Sequence, residues 1–123
     1  MILNEIQTAI RDTVRDYAQE QIKPNSVAYE AAKGYPDGLF TELAQMGLMG
    51  MTAPEEIGGA GADYVSYALS LIELAAADGA LSTIVSIHNS LFVNGLLRFG
   101  NQAQQDRFLP DLVSGQYTGA FCL

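Results

Sequence analysis

The chain has 123 residues, of which 6 are Lys or Arg and 14 are Asp or Glu, giving a formal net charge of -8. This length is typical of one domain. Six scattered basic residues exclude the clustered positive charge that binders of nucleic acid or anionic membranes need. Only 16% of the residues are charged, compared with roughly 25% in an average soluble protein. A free domain of this composition would have unusually few charged groups on its surface.

One cysteine and one histidine exclude a disulfide framework and a zinc site built from Cys and His, so we expect no metal. The N-terminus has neither the basic flank nor the apolar run of a signal peptide, which favours a cytoplasmic protein. Residues 79–97 contain no charged residue, but their seven polar side chains disfavour a membrane span. This stretch is predicted to be a helix that is buried inside protein.

Helical periodicity and capping signals predict about six helices. A capping box at Asn4 begins the first helix, which we expect to end at Lys23 and Pro24. A second, short helix follows and ends near Gly34. The third begins at Leu39 and is followed by a loop over residues 51–62, where proline and glycine interrupt the helical pattern.

The fourth and fifth helices are predicted on either side of Asp78 and Gly79. A second capping box, formed by Asn101 and Gln104, begins the last helix. Residues 116–123 alternate weakly, which indicates one β-strand that has no partner elsewhere in the sequence. The predicted fold is therefore all-α, an up-and-down or orthogonal bundle with one C-terminal strand. We expect a helical domain over residues 1–115 and the first strand of a missing β domain over residues 116–123.

Several motifs permit a chemical interpretation, but a structural one is favoured for each. The glycine-rich loop at residues 58–63 lacks the third glycine of a dinucleotide fingerprint and the lysine of a P-loop, which favours a structural turn. His88 has no evident nucleophile partner, so a packed or pocket-lining role is favoured over acid–base catalysis. Glu55 and Glu56 are adjacent and project apart, as solvated loop residues do. Cys122 has no basic neighbour that would activate its thiol.

The sequence resembles the N-terminal helical domain of the acyl-CoA dehydrogenase family. Six stretches occur in the family's order: APEEIGGAG at 53–61, ELA at 73–75 with Asp78, HNSL at 88–91, FG at 99–100 with QQ at 104–105, RFLP at 107–110, and GAFCL at 119–123. Members have this domain before a middle β domain and a C-terminal four-helix bundle. The resemblance implies that the chain is one part of such an enzyme.

The resemblance also implies a reaction. Members oxidise an acyl-CoA thioester between its α and β carbons, using a carboxylate base and FAD as hydride acceptor. That base lies beyond residue 123, so we name no catalytic residue here. The implied partners are the acyl-CoA, an electron-transfer flavoprotein and further copies of the enzyme in a dimer or tetramer.

Two groups of site residues follow from the same resemblance. Three residues match the start of the segment that contacts the flavin, through backbone groups: Phe121, Cys122 and Leu123. Four match the helix that bounds the acyl chain: Thr83, Ile87, His88 and Leu91. The bulk of Ile87 and His88 indicates a short or branched acyl group. The alternatives are a flavoprotein of the same fold with other chemistry (acyl-CoA oxidase, nitroalkane oxidase or two-component monooxygenase) and a non-catalytic helical interaction module.

Overall fold

The computed structural model describes residues 2–122, and all regular secondary structure in this part of the chain is helical. The α-helices are α1 (Glu5–Tyr17), α2 (Ser26–Ala32), α3 (Leu39–Gln45), α4 (Tyr64–Ala77), α5 (Gly79–Ile87), α6 (Asn94–Phe99) and α7 (Gln102–Val113). A π segment at Ala18–Ile22 and a 3-10 turn at Lys23–Asn25 lie between α1 and α2, and a second π segment at His88–Val93 lies between α5 and α6. A separate 3-10 turn lies at Glu55–Ile57. The all-α prediction is confirmed.

Both predicted capping boxes are present. The side chain of Asn4 accepts a hydrogen bond of 2.8 Å from the backbone N–H of Gln7, whose side chain accepts one of 3.1 Å from the backbone N–H of Asn4. Asn101 and Gln104 make the same reciprocal pair at 3.0 and 2.9 Å. Each pair satisfies backbone donors that have no partner inside the helix, and so fixes where α1 and α7 begin.

The sequence predicts that the first helix ends at Lys23 and Pro24, and the helix type changes there: the π segment that follows α1 ends at Ile22, and the 3-10 turn Lys23–Asn25 leads into α2. Pro24 has no N–H to donate, and its ring would collide with a carbonyl in a regular α-helix. The chain adapts by widening the turn before the proline, so that the N–H of Lys23 bonds to the carbonyl of Ala18. The side-chain amide of Asn25 then donates to the carbonyl of Gln21 at 2.8 Å.

The strand predicted at residues 116–123 is not formed in the described part of this segment, residues 116–122. A strand needs a neighbouring strand to accept and donate its backbone hydrogen bonds. Residues 2–122 contain no other strand that could supply one. The division of the chain at residue 115, with the following residues assigned to a β domain, stays a prediction.

The chain divides into two compact units, the first formed by residues 2–36 and 64–83. In this unit α1 packs against α4. The carboxylate of Asp78 accepts hydrogen bonds from Ser26 Oγ at 3.0 Å, Tyr35 Oη at 3.1 Å and the backbone N–H of Leu81 at 2.9 Å. Asp78 therefore caps the start of α5 and also holds two side chains from earlier in the sequence.

The second unit consists of residues 37–63 and 84–122. Its apolar core is a cluster from the loop before α4, from the segment His88–Val93, called the π segment from here on, and from α7. The members are Ala53, Val93, Leu109, Leu112 and Val113. The continuous helix Gly79–Phe99 is long and apolar enough to cross a membrane by length and composition, a test that core helices of soluble proteins also pass. Within it, His88, Asn89 and Val93 are buried in this unit.

Candidate functional site

The geometry of the continuous helix Gly79–Phe99 changes at His88, where α5 ends and the π segment begins. Such segments are rare and often occur at functional sites. The first two residues of this one, His88 and Asn89, have polar side chains that are buried, at 0% and 1% exposure. Burying a polar side chain is costly unless its hydrogen bonds are satisfied, so the partners of these two residues are informative.

Asn89 fixes the loop that follows α3. Its side-chain oxygen accepts a hydrogen bond of 2.8 Å from the backbone N–H of Met51. Its side-chain nitrogen donates to the carbonyls of Leu48 at 2.8 Å and of Val85 at 2.9 Å. One side chain thus satisfies two backbone groups of the loop and one carbonyl of its own helix.

His88 joins two backbone groups near the end of the chain. Its Nε2 lies 3.0 Å from the carbonyl oxygen of Leu112, and the backbone N–H of Gly119 points to its Nδ1 at 3.1 Å. A carbonyl can only accept and an amide N–H can only donate, so the ring is neutral with its proton on Nε2. Burial lowers the pKa of His88, while backbone hydrogen bonds with Leu112 and Met49 oppose this with smaller effects.

Residues 115–122, which we call the C-terminal segment, are held by three backbone amides. Gly115 donates to the carbonyl of Leu112 at 3.1 Å, Tyr117 donates to that of Asp111 at 3.0 Å, and Gly119 donates to His88. Gly115 has a φ of 74°, and a Cβ there would collide with the backbone of Phe40. The turn out of α7 therefore requires glycine.

Gly119 also lies against the ring of Phe92, and a Cβ added at residue 119 would overlap that ring. The absence of a side chain allows the backbone of this residue to approach the helix closely enough to reach His88. The C-terminal segment is thus positioned at Gly119 by one hydrogen bond and one steric contact, both made with the π segment.

The four residues predicted to bound the acyl chain differ in their surroundings. Thr83 belongs to the first unit and is exposed, with its hydroxyl donating to the carbonyl of Gly79 at 3.0 Å. Ile87 is half-buried and Leu91 is 47% exposed, whereas His88 has no exposed surface. Only His88 is therefore enclosed by the protein, and its two ring nitrogens face backbone groups.

An open, mostly apolar depression of about 320 Å³ lies beside Leu91 in the second unit. It is lined by residues of the π segment, α6 and α7, among them Phe92, Leu96, Phe99 and Phe108. None of its lining residues is charged. An alkyl chain fits such a surface because no charged group has to lose its water.

Of the predicted flavin-contacting residues, Phe121 and Cys122 are exposed, and Leu123 lies outside the described residues. Their assignment to the flavin stays a prediction. Phe121 and Cys122 come two and three residues after Gly119, so their position depends on how that residue is held.

The glycine-rich loop is a structural turn. Its backbone N–H groups donate to nearby carbonyls at 2.8–3.0 Å: Gly58 to Glu55, Gly59 to Pro54, Ala60 to Gly50, Gly61 to Ala53 and Ala62 to Met51. Amides used in this way are not available to bind a phosphate. Glu55 and Glu56 are exposed to solvent. Within residues 2–122, no group of three or more His, Cys, Asp or Glu side chains is placed to hold a metal ion.

Sequence reasoning missed Asn89 and the hydrogen bond between His88 and Gly119. The visible signal was the adjacent polar pair, His88 and Asn89, in a stretch that contains no charged residue. That signal indicates that both side chains need partners, but it does not identify them.

Residues 4–116 match the family defined as acyl-CoA dehydrogenase, N-terminal domain. The chain belongs to the acyl-CoA dehydrogenase family. It is 39% identical over 123 residues to an acyl-CoA dehydrogenase of Bacillus subtilis, covering all of this chain and 32% of that protein. It is 33% identical over 123 residues to the mitochondrial isovaleryl-CoA dehydrogenase of Pongo abelii, covering 98% of this chain and 29% of the relative. The chain thus spans about a third of the length of these relatives.

Solved structures agree with this membership. A glutaryl-CoA dehydrogenase from Mycobacterium smegmatis in complex with FADH2 superimposes with a TM-score of 0.87 at 31% identity, covering 94% of this chain and 30% of the other. A chain in a structure of the electron transferring flavoprotein of Acidaminococcus fermentans superimposes with a TM-score of 0.87 at 27% identity, covering 96% of this chain and 31% of the other.

Proposed function

We propose that this chain is the N-terminal domain of an FAD-dependent acyl-CoA dehydrogenase, which oxidises an acyl-CoA between its α and β carbons. The family match over residues 4–116 is the observation that supports this most strongly. The relatives act on different acyl groups, since one is an isovaleryl-CoA and another a glutaryl-CoA dehydrogenase. Family membership therefore supports the reaction without selecting the acyl group.

The proposed contribution of this chain to binding is one wall of the acyl pocket. Ile87 and Leu91 are four residues apart on one helix, and both have exposed surface. The depression beside Leu91 supplies further apolar area without a charged residue. Ile87 is bulky, which favours a short or branched acyl group. The assignment of Thr83 to the acyl chain stays a prediction.

For the cofactor, the proposal assigns the backbone of Phe121 and Cys122 to the edge of the flavin. Both residues are exposed, which fits groups that meet a ligand. When bound, FAD supplies the hydride acceptor that no amino-acid side chain can provide. We further propose that an electron-transfer flavoprotein reoxidises the enzyme, which is supported by the similarity to a chain in the structure of such a flavoprotein.

The experiment is a chain-length profile of the full-length enzyme and its Ile87→Gly variant. We expect the variant to shift kcat/KM toward longer acyl-CoA substrates, because removing the side chain deepens the pocket. Ala80→Gly is the control, since Ala80 is exposed in the same helix and its replacement carries a similar backbone cost. Electron-transfer flavoprotein and oxygen are compared as acceptors in the same assay.

Three results would count against parts of this proposal. An unchanged ranking of substrates in the Ile87→Gly variant would reject the acyl wall. A full-length protein that binds no FAD and oxidises no acyl-CoA would reject the enzyme. Faster turnover with oxygen than with electron-transfer flavoprotein would identify an oxidase.

A further inference from the structure

We propose that His88 is a positioning residue for the flavin site, acting through the backbone of the C-terminal segment without touching the substrate. The inference rests on the proposed function, because that function assigns Phe121 and Cys122 to the flavin. It gives His88 a different task from the wall of the acyl pocket.

The first argument is the direction of the two ring nitrogens. Nε2 donates to Leu112, at the end of α7, and Nδ1 accepts from Gly119. With both nitrogens occupied by backbone groups and no exposed surface, the ring has no polar atom left for a ligand. The imidazole thus holds residue 119 through Nδ1, while Nε2 anchors the ring itself to the end of α7.

The second argument is the position of the backbone hydrogen bonds along the segment. The backbone bonds of Gly115 and Tyr117 hold its beginning to α7. Gly119 comes two residues before Phe121 and lies between His88 and the ring of Phe92. A movement of Gly119 therefore moves the backbone that the proposal places at the flavin.

Two substitutions test the roles of the two ring nitrogens of His88 one at a time. The amide oxygen of asparagine can occupy the place of Nδ1, so His88→Asn keeps an acceptor for Gly119 and loses the donor to Leu112. The longer glutamine side chain can place its amide nitrogen near Nε2, so His88→Gln keeps the donor to Leu112 and loses the acceptor for Gly119. Each variant loses one hydrogen bond of the imidazole, the one to Leu112 in His88→Asn and the one to Gly119 in His88→Gln.

A third variant perturbs the C-terminal segment directly and leaves His88 unchanged. Gly119→Ala places a Cβ against Phe92 and displaces the backbone at residue 119. Gly34→Ala is its control, because a Cβ at Gly34 meets no atom within 4 Å.

The experiment measures FAD dissociation and thermal unfolding of the full-length flavoprotein and these four variants. We expect His88→Gln and Gly119→Ala to weaken FAD binding about tenfold, the effect of one lost hydrogen bond. His88→Asn and Gly34→Ala are expected to stay within about twofold of the parent protein. The apo forms of both His88 variants should unfold at similar temperatures, so the difference in FAD binding cannot come from general destabilisation.

The possible failures are distinct. If the parent protein binds no FAD, the proposed function fails and the inference fails with it. If the parent protein binds FAD but His88→Asn and His88→Gln weaken binding equally, or neither does, His88 is only a structural residue and the proposed function stands.

Discussion

Asn89→Ala is expected to lower the free energy of unfolding by about 3 kcal/mol. The substitution removes three buried hydrogen bonds, of 2.8, 2.8 and 2.9 Å, and a typical bond contributes about 1 kcal/mol net. It also leaves the N–H of Met51 and the carbonyl of Leu48 without this partner, in residues that are themselves 3% and 1% exposed. A domain is stable by only about 5–15 kcal/mol, so the loss is readily measured.

The assay is equilibrium unfolding in urea followed by circular dichroism. Asn94→Ala is the matched control, because Asn94 is the next asparagine of the same helix but is only part-buried. It exchanges hydrogen bonds with the side chain of Thr52 alone, at 3.0 and 3.1 Å, and its loss should cost about 1 kcal/mol or less. A loss for Asn89→Ala within about 0.5 kcal/mol of the control would refute the reasoning that the buried amide holds the loop.

Asn89→Asp tests the same three hydrogen bonds by replacing the amide with a carboxyl group. The introduced carboxylate can still accept from Met51 but points an acceptor at the carbonyls of Leu48 and Val85, where the amide had donated. Burial beside two acceptors raises the pKa of that carboxyl in the folded state. The variant should therefore be most stable below the ordinary aspartate pKa of about 3.9 and should lose stability, relative to the parent protein, as the pH rises. A difference in stability that does not vary with pH would contradict the assigned contacts.

Two further predictions concern the first unit. Burial, with a smaller effect of the hydrogen bond to Asp78, raises the pKa of Tyr35 from 10.0 to about 12. The stability that this phenol contributes is complete below pH 10 and is lost toward pH 12. The loss is on the order of 1 kcal/mol, because the group is part-exposed. Urea midpoints of Tyr35→Phe and the parent protein, compared across this pH range, should show the loss in the parent protein only. Glu73 is buried and receives two hydrogen bonds from Arg15, at 2.6 and 3.1 Å. Glu73→Gln should therefore lower the urea midpoint more than Asp12→Asn, whose carboxylate is half-exposed, and equal effects would show that burial does not strengthen this pair.

The helix starts could be predicted from the sequence because they depend on neighbours along the chain. The partners of Asn4 and Asn101 are three residues away in each case, so the residue types alone determine the cap. The local geometry at Pro24 could be predicted only in part. The sequence shows that a regular α-helix cannot pass this residue, but it does not show that a widened turn before it can absorb the conflict.

The candidate site could be predicted only as a set of residue types. His88 and Asn89 were recognisable as polar residues in an apolar helix, yet Asn89 bonds to backbone groups 38 and 41 residues away and His88 to groups 24 and 31 residues away. Those partners depend on how the loop before α4 and the C-terminal segment return to the helix. Periodicity describes the helix alone, and the family resemblance implied only that His88 bounds the acyl chain, so neither could reveal the enclosure of its ring.

The second unit has an exposed apolar surface, which is consistent with the small number of charged residues in the sequence. Single exposed apolar side chains are ordinary on protein surfaces, but Leu91, Phe99 and Phe108 line one depression and are 47%, 80% and 38% exposed. The guanidinium of Arg98 lies 5.3 Å from the ring centre of Phe99, and that of Arg107 lies 5.0 Å from that of Phe108. Two of the six basic residues thus lie over the exposed aromatic rings, where a guanidinium interacts favourably with the ring face and stays hydrated. Two guanidinium groups therefore lie beside the apolar surface while the lining of the depression contains no charged residue, which suits the proposed alkyl substrate.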